Sequence, residues 1–234
     1  KTQEILGDDM LGPYMIYKNM NEQNIKVSLD GHGPDELLGG YPVYMNFAIN
    51  DAKSSNNIFN NINLKMLYFK MNNINIAQHI MSRFLNKKSF VVNNNYNFFL
   101  PDINKRKNLQ REDLSNFNSL DKILFDNFHY TSLPRILLKF DKISMAHGIE
   151  SREPFLDYRL VSFIFSLPSS VKIGNRFTKR ILRDSMKTFL PKLVKNRINK
   201  RGFDISLDWF SQNYKSYIEE ALLSSPFKNI DFID

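Results

Sequence analysis

Three short stretches of this chain gather acids, cations and glycines in patterns that could serve a polyphosphate or a carboxylate. The first is Asp30-Gly31-His32-Gly33-Pro34-Asp35-Glu36-Leu37-Leu38-Gly39-Gly40-Tyr41. Four of the nine glycines (Gly31, Gly33, Gly39, Gly40) fall there, and glycine collects where backbone turns sharply or approaches a ligand closely. Just before it, Ile25-Lys26-Val27-Ser28-Leu29 alternates apolar and polar side chains, a short-strand signature. A strand feeding a glycine loop and then a helix N-terminus aims backbone N–H groups at a phosphate or nucleotide. Asp35 beside such a pocket is the hard-oxygen ligand that Mg2+ takes. Asp35 and Glu36 in a first helical turn also suit the helix dipole with no ligand at all. The pattern is neither a Walker loop nor a dinucleotide GxGxxG motif.

The second stretch, Glu150-Ser151-Arg152-Glu153-Pro154-Phe155-Leu156-Asp157, sets charges around an apolar anchor. A buried Glu150–Arg152 or Arg152–Asp157 pair would explain it structurally. The third, Arg176-Phe177-Thr178-Lys179-Arg180, puts three cations in or just before the first turn of a helix expected over 175–190. Cations there oppose the macrodipole by up to roughly 1 kcal/mol each. A bound anion resolves that conflict, and so does a later helix start. Lys179 and Arg183, four apart, share a helix face. Lys200-Arg201-Gly202-Phe203 is a further basic turn that means little alone. His32, His79, His129 and His147 have no metal-ligand spacing, and no Ser-His-Asp arrangement can be argued.

The elements that must position these residues follow from periodicity and punctuation. Gly12 to Met20 reads as a helix with Pro13 in its first turn. Helix, strand, glycine loop and short helix make an α/β unit with a parallel strand. From about 46 to 120 the chain is dense in Asn, with helical patches over 64–71 and 76–85 and no chemical motif. Leu133, Ile136, Leu137, Phe140 and Ile143 follow helical spacing, with Ser132 as cap and Gly148 as terminator. Pro154 forces Glu153 into extended geometry. Asp157 caps a helix running to about Leu167, where Pro168 stops it. A last helix is expected over 209–223.

Composition narrows the function class. The 234 residues carry a net charge of +8, 42% hydrophobic and 13% aromatic residues, and no cysteine. This is a globular composition, and it excludes disulfides and Cys-ligated metals and fits the cytoplasm. The basic balance suits a nucleic acid, an acidic membrane surface or a polyphosphate substrate. The Asn, Lys and Ile bias of an AT-rich genome would produce it with no function behind it. Lys and Arg are too dispersed for a nucleic-acid stripe. No apolar run approaches the roughly 18 to 20 residues of a membrane span, and Lys1-Thr2-Gln3-Glu4 has no leader character. Neither nucleic acid nor membrane is an expected partner.

DGHGPDELLGGY, then SMAHGIESREPFLDYRLV, then Thr178-Lys179, then KRGF, in this order, resemble the C-terminal synthetase domain of glutamine-dependent asparagine synthetases. The similarity runs from about Gly7 to about Trp209 and is weakest between Asn46 and Leu120. The resemblance implies one partial synthetase domain over 1–234, with a variable Asn-rich helical region at about 46–120. The fold it implies is α/β, the C-terminal part of a parallel-sheet ATP-pyrophosphatase (adenine nucleotide alpha hydrolase-like) domain, mostly helical in this stretch. The implied chemistry is adenylation of a carboxylate, aspartate in the family, with ATP and Mg2+, then attack by ammonia that a separate N-terminal domain takes from glutamine. By position Asp30, Gly31, His32 and Gly33 line the nucleotide site, Asp35 holds Mg2+, Lys179 contacts the phosphates, and Glu150 and Arg152 shape the acyl site. Asp141 sits where the family tends to carry an acid. A homodimer is compatible with the resemblance.

Three departures follow. His32 stands where the best-known asparagine-forming enzymes carry an acid, which favours another carboxylate, such as a sugar acid, a peptide or a ring-closing substrate. The Ser-Gly-Gly-x-Asp-Ser pyrophosphate loop and the glutaminase cysteine do not occur in these residues, as expected of a truncated chain whose missing parts lie upstream of residue 1. The isolated stretch is therefore expected to show no ligase turnover. A non-catalytic remnant is the remaining alternative, against which stands the retention of Asp35, Glu150, Arg152 and Lys179.

Overall fold

The computed structural model describes residues 10–55, 58–72, 113–174, 176–198, 215–216 and 219–220. In chain order they form α1 (Leu11–Glu22), β1 (Val27–Leu29), α2 (Pro34–Leu38), α3 (Tyr44–Ser54) and α4 (Ile58–Met71). Then come α5 (Ser119–His129), α6 (Leu133–Met145), β2 (Glu150–Arg152), a 3-10 turn (Pro154–Leu156), α7 (Tyr158–Ser166), α8 (Ser169–Lys172), α9 (Arg180–Ser185) and α10 (Lys192–Lys195). The described part is mixed α/β and mostly helical, with a small parallel sheet. The helix expected over 76–85, most of that over 209–223 and the basic turn at 200–203 lie outside the described residues. No helix among the described residues is long and apolar enough to cross a membrane.

The chain divides into two compact units. The first comprises Lys1–Asp30, Arg135–Pro154 and Arg201–Asp234. Its sheet is β1 and β2 in parallel, with Val27 opposite Glu150, Ser28 opposite Ser151 and Leu29 opposite Arg152. Both strands are entered through the same device. At the end of α1, Asn24 takes a left-handed φ of 60°. Ile25 N–H then donates to Met20 O at 2.9 Å, and Asn24 N–H to Asn21 O at 2.9 Å. At the end of α6, Gly148 has φ 66°, and Ile149 and Gly148 N–H donate to Ser144 O and Met145 O, each at 3.0 Å. These are Schellman motifs, which satisfy helix-end carbonyls and turn the chain out of the helix axis. Ile149 drops into a core with Met10, Tyr17 and Ile143, so turn and apolar anchor together set the register of β2. The strand expected over 25–29 is shorter, because Ile25 is used in the helix cap.

The second unit comprises Gly31–Pro134 and Phe155–Lys200. In α3, Tyr44, Met45, Ala48 and Ala52 share one face. They meet Leu64 and Leu67 of α4, Leu120 and Leu124 of α5, and Ile173. The alanines leave room for neighbouring helices to approach. Asp51 closes this corner: its carboxylate accepts the Ser119 and Leu120 N–H groups, both at 2.9 Å. Those are orphan donors at the start of α5, where a negative charge also suits the dipole. A second cluster, Leu37, Leu38 and Ile164, with Phe128, Leu160 and Phe165 against it, seats α2.

The helix expected over 175–190 is confined to Arg180–Ser185. Gly174 and Phe177 exchange backbone bonds at 3.0 and 2.9 Å, forming a turn that cannot be helical. Lys179 sits at φ 51° as the cap. The helix starts later, so Arg176 falls outside its first turn, while Lys179 stands at its cap and Arg180 at its first position. Arg180 faces Asp184 at 3.5 Å and donates to Ser170 O at 3.2 Å.

Asp157 caps α7 as expected, accepting the Arg159 N–H at 2.9 Å. Arg159, rather than Arg152, is its ion-pair partner, with Nε at 3.0 Å and Nη2 at 2.7 Å. The Arg159 side chain first, and then the helix-end N–H, hold the Asp157 carboxyl down at about 2. Its folded pKa is thus below its ordinary 3.8, so the stability it contributes is present above that value and is lost as pH falls through about 2. An NMR titration of the Asp157 carboxyl should give a midpoint near 2, and Arg159→Ala should move it upward. An unmoved midpoint would assign the shift to the cap alone.

Candidate functional site

In the second unit the two residues expected to handle metal and phosphate meet. Lys179 Nζ lies 2.8 Å from Asp35 Oδ1, with both side chains largely buried (25% and 17% exposed). Asp35 reaches this position from the first turn of α2, whose start is set by Gly33 (φ 100°) and Pro34. Lys179 reaches it because its own N–H is tied to Leu38 O at 3.2 Å, at the other end of the same helix. Gly40 lies beside the pair. A Cβ there would overlap the Asp35 carboxylate and Lys179 Cε, so this position must be glycine for the pair to close. Gly39 (φ 67°) likewise gives its space to Ile173.

The adjacent acids Asp35 and Glu36 take different environments. Glu36 is almost fully buried (1% exposed) and accepts the Ser132 hydroxyl at 3.1 Å. Burial first, and the nearby Asp35 charge, push its pKa above the ordinary carboxylate range, against bonds from Ser132 and Tyr41. Burial and the Glu36 charge push the Tyr41 hydroxyl up in turn. Glu36 is therefore an internal strut that ties α2 to the start of α6, and Asp35 is the acid that meets Lys179. The Ser132 hydroxyl expected at a helix cap donates to Glu36. Among the described residues of this unit, Asp35 brings one carboxylate to the pair. That suits Mg2+, which is held by one or two carboxylates together with phosphate oxygens and water.

In the first unit, Asp30 ends β1. Its carboxylate accepts hydroxyls from Tyr17 and Ser28 and from Ser151 at 3.0 Å. Its N–H donates to Arg152 O at 2.9 Å, extending the ladder. The sheet register makes this possible, since Ser28 and Ser151 are paired across the strands and are the half-buried positions. Burial and Asp30 together push the Tyr17 hydroxyl well above its ordinary pKa. Ser151 also lies 2.6 Å from Glu153 Oε1. One hydroxyl proton serves two carboxylates there and can satisfy only one at a time. Glu150 and Arg152 pair with each other at 2.9 Å, both mostly exposed. Arg152 holds the Glu150 carboxyl below its ordinary range.

Sequence reasoning brought Asp30, Gly31, His32, Gly33, Asp35, Glu150, Arg152 and Lys179 forward. Asp35 and Lys179 are in contact, and so are Glu150 and Arg152. Asp30, Glu150 and Arg152 belong to the first unit; Gly31, His32, Gly33, Asp35 and Lys179 belong to the second. Sequence reasoning missed Tyr17, Ser28, Ser151 and Glu153 around Asp30. The strand alternation held the signal for the serines: Val27 and Leu29 are the exposed positions and Ser28 the inward one.

Residues 2–234 match the family model for asparagine synthase. The chain belongs to the asparagine synthase family. It is 24% identical over 240 residues to "Asparagine synthetase [glutamine-hydrolyzing] 1" of Bacillus subtilis (strain 168), a match covering 94% of this chain and 37% of that protein. It is 33% identical over 106 residues to "Asparagine synthetase [glutamine-hydrolyzing]" of Gallus gallus, covering 41% of this chain and 19% of the relative. "Amidase chry2" of Gibberella zeae is 30% identical over 115 residues, covering 46% and 17%. The chain thus spans about a third or less of the length of these curated relatives.

Proposed function

We propose that this chain is the synthetase part of an ATP-dependent, amide-forming ligase, built on an ATP-pyrophosphatase-type domain, in which Asp35 and Lys179 handle the triphosphate and its metal. The observation that carries this reading is the Asp35–Lys179 contact at 2.8 Å, closed over a glycine that leaves it no slack. A largely buried carboxylate and ammonium held together are a ready-made receptor for a complex of Mg2+ and phosphate, because each has a better-matched partner in that complex. Asp35 supplies a hard oxygen. Lys179 turns from Asp35 to the phosphate oxygens and stabilises the charge that grows on departing pyrophosphate, in a site where partial burial strengthens the interaction. Asp35 would hold Mg2+, and the ion would supply charge neutralisation to the phosphates.

In this reading a substrate carboxylate attacks the α-phosphorus of ATP, giving an acyl-adenylate and pyrophosphate. Ammonia, released from glutamine by a glutaminase domain of the complete protein, attacks the acyl carbon, and AMP leaves. Glu150 and Arg152 shape the acyl site, and Asp30 to Gly33 line the nucleotide. The family favours aspartate as the carboxylate. A second reading keeps the chemistry and changes the carboxylate. His32 favours it, since an imidazole meets an aspartyl group and ammonia differently from an acid.

The full-length protein given Mg2+, ATP and ammonium chloride should release pyrophosphate when aspartate is added, with asparagine formed in equal amount. Release with a different carboxylate and none with aspartate would remove the asparagine assignment and leave the ligase reading. No release with any carboxylate, from folded protein that binds ATP, would remove both.

A further inference from the structure

We propose that Arg183 is a positioning residue that sets the backbone of Lys179, an inference that takes its importance from the ligase reading above. Lys179 has φ 51°, a left-handed conformation unfavourable for any residue with a side chain. It must be imposed by neighbours. Leu38 O takes the Lys179 N–H at 3.2 Å, and Arg183 N–H donates to Lys179 O at 3.1 Å. The decisive group is the Arg183 guanidinium. Its Nε donates to Thr178 O at 2.9 Å, the carbonyl of the peptide that leads into Lys179. Its Nη1 donates to Lys195 O at 2.7 Å and Val194 O at 3.4 Å. Its Cζ lies 5.2 Å from the centre of the Phe177 ring.

One planar fork thus joins the last turn of α10, the turn at 174–177 and the peptide before Lys179. Lysine cannot reproduce this, because a single ammonium does not present donors in a fixed plane to two carbonyls and a ring together. If Arg183 only capped α10, its loss would destabilise that turn and leave the peptide before Lys179 as it was. If it sets the peptide, its loss frees Lys179 and misplaces Nζ, and errors of about 1 Å can change turnover on the order of a hundredfold.

Arg183→Gln, Arg183→Lys and Lys179→Ala would be made in the full-length protein, with amide hydrogen exchange read at Lys179 and at Leu124 of the α5 core. In Arg183→Gln the Lys179 amide should exchange roughly tenfold faster or more, with Leu124 unchanged. The turnover number for pyrophosphate release should fall by roughly tenfold to a hundredfold, the Michaelis constant for ATP moving much less. Arg183→Lys should lie between Arg183→Gln and the parent in both readings. Lys179 exchange and turnover within twofold of the parent would overturn the proposal. Equal acceleration at Leu124 and Lys179 would also overturn it, since the role would then be general stability. Full activity in Lys179→Ala would instead remove the ligase role of Lys179, with the exchange data still deciding whether Arg183 sets its backbone.

Discussion

Lys179→Ala should lower pyrophosphate release by roughly a hundredfold to a thousandfold, the range expected when one preorganised group facing developing charge is removed. The loss should fall mainly on the turnover number, because in this reading Lys179 gains a stronger partner as charge moves to the departing oxygen. The geometry adds a second, opposite expectation. Without ATP, Lys179 neutralises Asp35 at 2.8 Å. Removing the ammonium leaves a largely buried carboxylate with its nearest cation gone, so divalent cation binding without nucleotide should tighten as turnover collapses. Lys179→Arg should not rescue, since Lys179 Cε occupies the space a Cβ at Gly40 would take and a guanidinium is wider. Folded Lys179→Ala retaining more than a tenth of the parental rate would show that Lys179 is not the phosphate group.

What the sequence disclosed about this site follows a physical division. Glycine turns, proline positions and acidic first turns are local, and they placed α2 and α7 and the end of α6 well. The cluster Asp30-Gly31-His32-Gly33 and the acid at 35 could be read as a nucleotide loop because backbone conformation there is written into residue type. Lys179 was reached for the wrong local reason. It was placed inside a helix that starts at 175, whereas it is the left-handed residue before a helix that starts at 180. The tertiary demand that it meet Asp35, far away in sequence, overrode the helical periodicity. The hydroxyl cluster on Asp30 was hidden for a similar reason. Its members come from α1, β1 and β2, and only a sheet register brings Ser28 beside Ser151. Asn24 as a left-handed helix terminator was open to local reading, since asparagine is the usual substitute for glycine there.

Lys172 was the least visible of all. In Pro168-Ser169-Ser170-Val171-Lys172 a lysine at the end of a short helix reads as a solvated cation, yet its side chain is fully buried. Nζ lies 2.7 Å from Asp121 Oδ1 and 5.4 Å from the centre of the Phe165 ring. Asp121 Oδ2 accepts Ser169 Oγ and Asn118 Nδ2, each at 2.8 Å. Lys172→Met should therefore lower stability by about 3 to 5 kcal/mol, the usual consequence of stranding one member of a buried pair. The lower end is favoured because Ser169 and Asn118 still bond the carboxylate. Lys172→Met with Asp121→Leu should recover part of that loss, leaving Asn118 and Ser169 without their acceptor. The double-mutant cycle should show strong positive coupling in chemical denaturation. A loss under about 1 kcal/mol in the single variant would mean that the pair is solvated and of little consequence. Lys172 neighbours the site through Ile173, which fills the space Gly39 leaves, and through Phe165, which packs on the cluster that seats α2, without meeting Asp35 or Lys179 itself. The folded fraction of Lys172→Met should thus keep most of its turnover at low temperature, in contrast to Lys179→Ala. In the ligase reading the two lysines, seven residues apart, separate what holds this fold from what the fold does.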